Sequence, residues 1–181
     1  MTHPDKILLL VEECENLQSA STHLRFSMER TRELIQRVRD EISSEELERL
    51  ESLASRFARL ADMLIQRVMR LVDEIELTPS GSVLDRIYRA EKRGWVDHAD
   101  VLVRISELRN LIAHEYAADK MAEIYEAVFM LSPELDKIAK QAADYSDSLI
   151  KRMQAPTNWP TAWLKPCPDI RPLLPPGIAV A

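Results

Sequence analysis

Apolar or small residues recur at alternating steps of four and three through Leu10, Cys14, Leu17, Ser21, Leu24, Met28, Thr31, Ile35, Val38 and Ile42. That period puts them on one stripe of an α-helix, the seam of a bundle. It predicts a first helix over 5–42. Ser43 or Ser44 supplies the next N-cap, and Glu45 and Glu46 fall in a first turn where the helix dipole favours acid. Leu47, Leu50, Ala54, Phe57, Ala61, Leu64, Val68, Leu71 and Ile75 then carry the stripe through a second helix, 44–77. Two such long helices joined by so short a link must fold back as an antiparallel hairpin.

Thr78-Pro79-Ser80-Gly81-Ser82 breaks the pattern with consecutive turn residues. A short helix follows from Val83 to Lys92, closed by Arg93-Gly94, where glycine suits the left-handed C-terminal position. Trp95, just past that end, is expected as a packing anchor, and His98 has no special role. Asp97 or Asp100 caps the next helix, which carries Val101 through about Tyr116. From Asp119 the stripe resumes at Met121, Ile124, Val128, Leu131, Leu135, Ile138, Ala142, Tyr145 and Leu149. Ser132-Pro133 interrupts it without a change of register, which predicts a kink or a split pair within one domain.

After Met153 the character changes. Residues 155–181 hold seven prolines, with Trp159, Trp163, Leu173 and Leu174 among them, and cannot be helical. The expected fold is all-α: an up-and-down antiparallel bundle over 1–154 with two long first helices. An extended Pro/Trp tail over 155–181 is expected to dock along the bundle or over a dimer mate.

Composition narrows the function. With three glycines and 30% charged residues, the 181-residue chain suits long amphipathic helices rather than sheet. No apolar run is long enough to span a bilayer, and no secretion signal opens the chain, so a cytoplasmic location without membrane contact is expected. Cys14 and Cys167 are too few for a disulfide framework. Cys14 falls on the apolar stripe as a buried thiol. No Cys/His cluster suggests zinc, and neither metal nor cofactor is expected. The net charge of −6 disfavours broad nucleic-acid affinity. The acid is uneven, however: nine acidic against five basic side chains over 41–77, six against six over 78–116. Arg56, Arg59, Arg67 and Arg70 fall off the second helix's seam, either as solvated rim residues pairing with glutamates or as a rail for RNA phosphates.

The candidate chemistry lies in Leu108-Arg109-Asn110-Leu111-Ile112-Ala113-His114-Glu115-Tyr116. On a helical wheel with Arg109 at 0°, Asn110 falls at about 100°, His114 at about 140° and Tyr116 at about −20°. Val101, Ile105, Leu108, Leu111 and Ile112 are expected on the opposite, core-facing side. Histidine exchanges protons near neutrality, and arginine offers a permanently charged fork matched to phosphate. Asn110 stands at i,i+4 from His114 and can orient it or donate to phosphate. Arg109 and His114 diverge by roughly 140° within one chain. A two-fold dimer that opposes two copies of this helix brings one of each to a shared cleft. On its own terms, Tyr116 can equally pack or hydrogen-bond across that dimer.

The order Arg, four residues, His, one residue, Tyr, preceded by Glu107-Leu108 and with Asn110 directly after the arginine, resembles the signature of HEPN proteins. It is most similar to HepT-like toxins paired with minimal nucleotidyltransferase antitoxins. The resemblance covers roughly residues 104–116. It implies a homodimeric, metal-independent endoribonuclease that acts on RNA, with tRNA as a candidate substrate, and not on DNA, leaving a 2′,3′-cyclic phosphate. It further implies Arg109 and His114 as catalytic residues supported by Asn110, with Tyr116 adenylylated by the antitoxin as the off-switch. AMP there would set negative charge beside Arg109. Two alternatives stay open: a non-catalytic HEPN module that binds nucleotide or substrate for a partner nucleotidyltransferase, and a purely structural bundle.

Overall fold

A computed structural model describes residues 3–114 and 118–154. Its elements are α1 (His3–Thr31), a 3-10 turn (Leu34–Arg37), α2 (Ser44–Asp62), a π-helical turn (Met63–Val68), α3 (Met69–Ile75), α4 (Val83–Lys92), α5 (Ala99–His114) and α6 (Ala118–Gln154). No strand occurs among the described residues. The fold is all-α, as the periodicity requires. No described helix is long and apolar enough to cross a membrane. The expected docking of the 155–181 tail lies outside the described residues, as does Cys167.

Polar ties fix the directions. Arg56 reaches the Ser27 hydroxyl and the His23 carbonyl, Arg67 reaches Glu13 at 3.1 Å, and Lys6 reaches Glu74 at 3.0 Å. Partners later in α2 and α3 therefore sit earlier in α1, so the long helices form the antiparallel hairpin the stripe predicts. α1 also runs against α6, with Asp136 beside Ser21 and Arg25 but Ser146 beside Cys14. Cys14 is the expected buried thiol, and burial pushes its pKa up.

The stripe crosses a helix end that it does not announce. α1 stops at Thr31, whose buried hydroxyl donates to the Ser27 carbonyl at 2.9 Å and the Met28 carbonyl at 3.3 Å. A 3-10 turn then brings Leu34, three residues after Thr31, into the core in place of the stripe's half-buried Ile35, and Val38 is buried just past it. The first helix is thus shorter than the expected 5–42. The second begins at a full capping box: the Glu46 N–H donates to Ser43 Oγ, and the Ser43 N–H to a Glu46 carboxylate oxygen. That backbone hydrogen bond, with help from Arg37, holds the Glu46 carboxyl below the ordinary carboxylate range.

α2, the π-helical turn and α3 make one rod along the expected 44–77. Met63, Leu64 and Ile65 are buried in succession, more than one α-helical stripe can turn inward. The wider π turn spreads them around a rod covered on several sides, and such turns recur at functional sites. The rod ends at Ile75. Leu77 takes φ 54° while the Thr78 N–H donates to the Asp73 carbonyl and the Leu77 N–H to that of Glu74. α4 ends in the same motif with Gly94 at φ 75°. Leu77 is 84% exposed and gains nothing from burial to offset its left-handed backbone. Leu77→Gly is therefore expected to raise unfolding free energy by about 0.5–1 kcal/mol in urea denaturation, net of glycine's chain entropy.

α4 spans the expected Val83–Lys92, with Ser82 and Asp85 forming its capping box. Trp95 is the anchor the sequence suggests, 1% exposed and edge-on to Tyr145 at 5.5 Å between centroids. Beneath it, Asp73 binds Arg89 and Arg93 at 2.6 Å each, and Arg93 binds Glu76 at 2.7 Å. Neither Asp97 nor Asp100 receives a backbone N–H at the start of α5; the Ala99 N–H donates to Glu91 Oε1 at 3.1 Å. α6 runs through Pro133 as one helix rather than a split pair. The Ser132 hydroxyl donates back to the Val128 carbonyl at 2.6 Å.

Candidate functional site

α5 is packed by α2, α4 and α6, and its buried arc is wider and turned from the one the wheel suggests. Ala99, Leu102, Ile105 and Leu108 are buried and Ile112 is half-buried, whereas Leu111 is 43% exposed. Leu102 lies within about 20° of Arg109 on the wheel, so Arg109 stands at the margin of the core. It does not face away from it. Contact on three sides, which a single-stripe reading cannot anticipate, is the reason.

That margin faces α2. Arg109 Nε lies 2.7 Å from Asp62 Oδ1 and Nη2 lies 2.8 Å from Asp62 Oδ2, a two-point clamp. Arg109 Nη1 donates to Asn110 Oδ1 at 3.0 Å. Asp62 is the last residue before the π-helical turn. The arginine side chain keeps 35% exposure and the aspartate 38%, so both reach solvent. A 360 Å³ cleft opens on this pair between Ala54, Ala58, Ile112, Ala113 and Tyr125. A second, of 230 Å³, lies on the other side with Ser106, Asn110 and Gln66.

The structure joins Arg109 to Asn110 but does not bring His114 to them. His114 ends α5, exposed, with no hydrogen-bonding or ionic partner among the described residues, and lines neither cleft. The divergence expected within one chain is therefore present. Exposed Asn110, Leu111, Ala113 and His114 form the outward surface of the helix end. Tyr116 lies outside the described residues. Among the described residues, no group of three or more His, Cys, Asp or Glu side chains is placed to hold a metal ion.

Asp62 and Tyr125 are site residues that sequence reasoning missed. Asp62 is 47 positions from Arg109 and looks like any off-seam acid; only the packing of α5 on α2 selects it. Tyr125 is 2% exposed on α6 and lines the larger cleft. Burial, reinforced by Glu51, pushes its phenol pKa up, keeping it a neutral donor. No family model, no curated protein and no solved structure matches this chain.

Clamped by a carboxylate, Arg109 meets phosphate only in competition. A pair this exposed is worth about 0.2–1 kcal/mol, so releasing it strengthens phosphate binding by up to about fivefold. If the site processes RNA, Asp62→Asn is expected to lower KM by up to that factor and to lower kcat as Arg109 loses its aim. Steady-state cleavage kinetics separate the two effects; a merely structural Asp62 moves neither.

Proposed function

We propose that the chain is a HEPN-like, HepT-type endoribonuclease toxin that cuts RNA without a metal ion at a cleft shared by two copies. The carrying observation is the division of labour at the end of α5. Arg109 is aimed and tied to Asn110, while His114 stands exposed without a partner among the described residues, beside exposed Leu111 and Ala113. A two-fold axis against this surface lets His114 of one copy approach Arg109 of the other, with small Ala113 permitting close contact. His114 takes the proton of a ribose 2′-OH, and the 2′ oxygen attacks the adjacent phosphorus. The bond to the 5′ oxygen breaks and that oxygen takes a proton from water, leaving a 2′,3′-cyclic phosphate on one product and a 5′-OH on the other, while protonated His114 returns its proton to solvent. Arg109 balances the charge that grows on the phosphate oxygens. DNA lacks the 2′-OH and is not a substrate. Tyr116 is the AMP acceptor for a minimal nucleotidyltransferase antitoxin, and the dimer works in the cytoplasm.

The Asp62 clamp favours a second reading, a non-catalytic module binding nucleotide or substrate for such an enzyme, because it partly neutralises Arg109. One experiment divides the two. Unmodified protein is incubated with total tRNA in EDTA, and product ends are analysed. Cyclic-phosphate ends made by wild type support the ribonuclease. Intact RNA, with mass spectrometry showing bare Tyr116, supports the binding module.

A further inference from the structure

We infer that the groove between α1 and α2 is a track for single-stranded RNA leading to the Arg109 helix; the inference rests on the reading that this chain acts on RNA. The full chain has 24 basic against 30 acidic side chains, yet this groove inverts the balance. Its inner part, 680 Å³, is lined by Arg56, Arg59 and Arg67 together with His23, against the single carboxylate of Asp62. The acidic neighbour just outside this lining is Glu13, which is 8% exposed and pairs with Arg67. The Arg59 side chain is exposed and has no hydrogen bond or ion pair among the described residues.

The groove continues past Arg56 into an outer cleft of 450 Å³, where Arg30 and Arg49 join Arg56 against Glu45 and Glu48. Phe26 stands at this end, 55% exposed, with the Arg30 guanidinium 5.5 Å and the Arg56 guanidinium 5.7 Å from its ring centroid. An exposed ring flanked by guanidinium planes is a stacking platform for an unpaired base, and successive arginines match a phosphate backbone. Arg49 to Arg67 spans about 27 Å along the helix axis, room for several nucleotides. The inner part ends at Asp62, the carboxylate that holds Arg109. A strand following the arginines thus arrives at the one acid whose displacement frees Arg109. Single-stranded RNA meets both halves, charge and stacking; an acidic peptide uses only the charge.

The test uses the full chain carrying His114→Ala, so that bound RNA stays uncut, and a short, unstructured, 5′-labelled RNA followed by fluorescence anisotropy across a salt series. Arg59→Ala/Arg67→Ala is expected to weaken binding about tenfold and to lower the slope of log affinity against log salt by roughly 1.4, two phosphate contacts. Lys92→Ala/Lys151→Ala removes the same charge outside the groove and is expected to change neither. Thermal melts establish that both variants fold. Equal losses in the two variants, no loss in the groove variant, or binding of polyglutamate where RNA does not bind would each overturn the track. Wild-type cleavage is scored separately. Cleavage with binding indifferent to Arg59 removes the track and leaves the ribonuclease. Binding that depends on Arg59 without cleavage keeps the track on a binding module.

Discussion

His114→Ala is expected to lower RNA cleavage by about 10²–10⁴-fold, the usual contribution of a positioned general acid or base. Folding should be untouched. His114 is exposed at the last residue of α5, outside the core, and gives up no hydrogen bond among the described residues. The loss must therefore appear in rate, with the thermal melting curve superimposable on that of wild type. Arg109→Ala is expected to cost a comparable factor, about 10²–10³, because it removes the charge that balances the phosphate. It also strands Asp62 and Asn110, so its melting curve need not stay fixed. Initial rates on labelled tRNA in EDTA, beside melts of each variant, check both. A His114→Ala protein that cleaves as fast as wild type would remove histidine from the reaction.

Asp73→Ala is expected to destabilise the fold by about 3–5 kcal/mol, the cost of orphaning buried charge. Asp73 is 6% exposed and accepts from both Arg89 and Arg93 at 2.6 Å. Burial works against the charge on Arg93, and Asp73 and Glu76 outweigh it, so its pKa is raised overall. Without Asp73, Arg93 is left with Glu76, which also takes the Tyr145 hydroxyl, and Arg89 is left with the Pro79 carbonyl. The network ties α3 to α4 and α6 beneath Trp95, so its loss loosens the support of α5. Chemical denaturation measures the effect. Asp62 makes a contrast, since its ion pair is more than one-third exposed and Asp62→Asn should cost no more than about 1 kcal/mol.

How much was legible in the sequence depended on whether the deciding contact was local. The capping and helix-end signals around α4 were readable residue by residue, because Ser82 and Gly94 act on their own backbone. The apolar stripe showed the antiparallel long helices. It did not show that α1 ends at Thr31, because apolar residues continue past it and the 3-10 turn buries Leu34 in place of the stripe's Ile35. The π-helical turn at Met63–Val68 was invisible for a related reason: Ala61, Leu64 and Val68 satisfy the stripe either way. At the site, the residue types of Arg109, Asn110 and His114 marked them as candidates. Asp62 did not, because its partner is distant in sequence and only the docking of α5 on α2 makes it an arginine clamp.

The composite site is tested most directly by mixing two inactive proteins, Arg109→Ala and His114→Ala, after unfolding and refolding them together. If each cleft takes its arginine from one copy and its histidine from the other, half the dimers are mixed. Each mixed dimer holds one intact cleft and one doubly defective cleft. The account predicts metal-independent cleavage at about a quarter of the wild-type rate, with cyclic-phosphate ends, from a mixture whose components are separately inactive. A mixture as inactive as its components, beside an active wild type treated in the same way, would contradict a cleft shared between two copies.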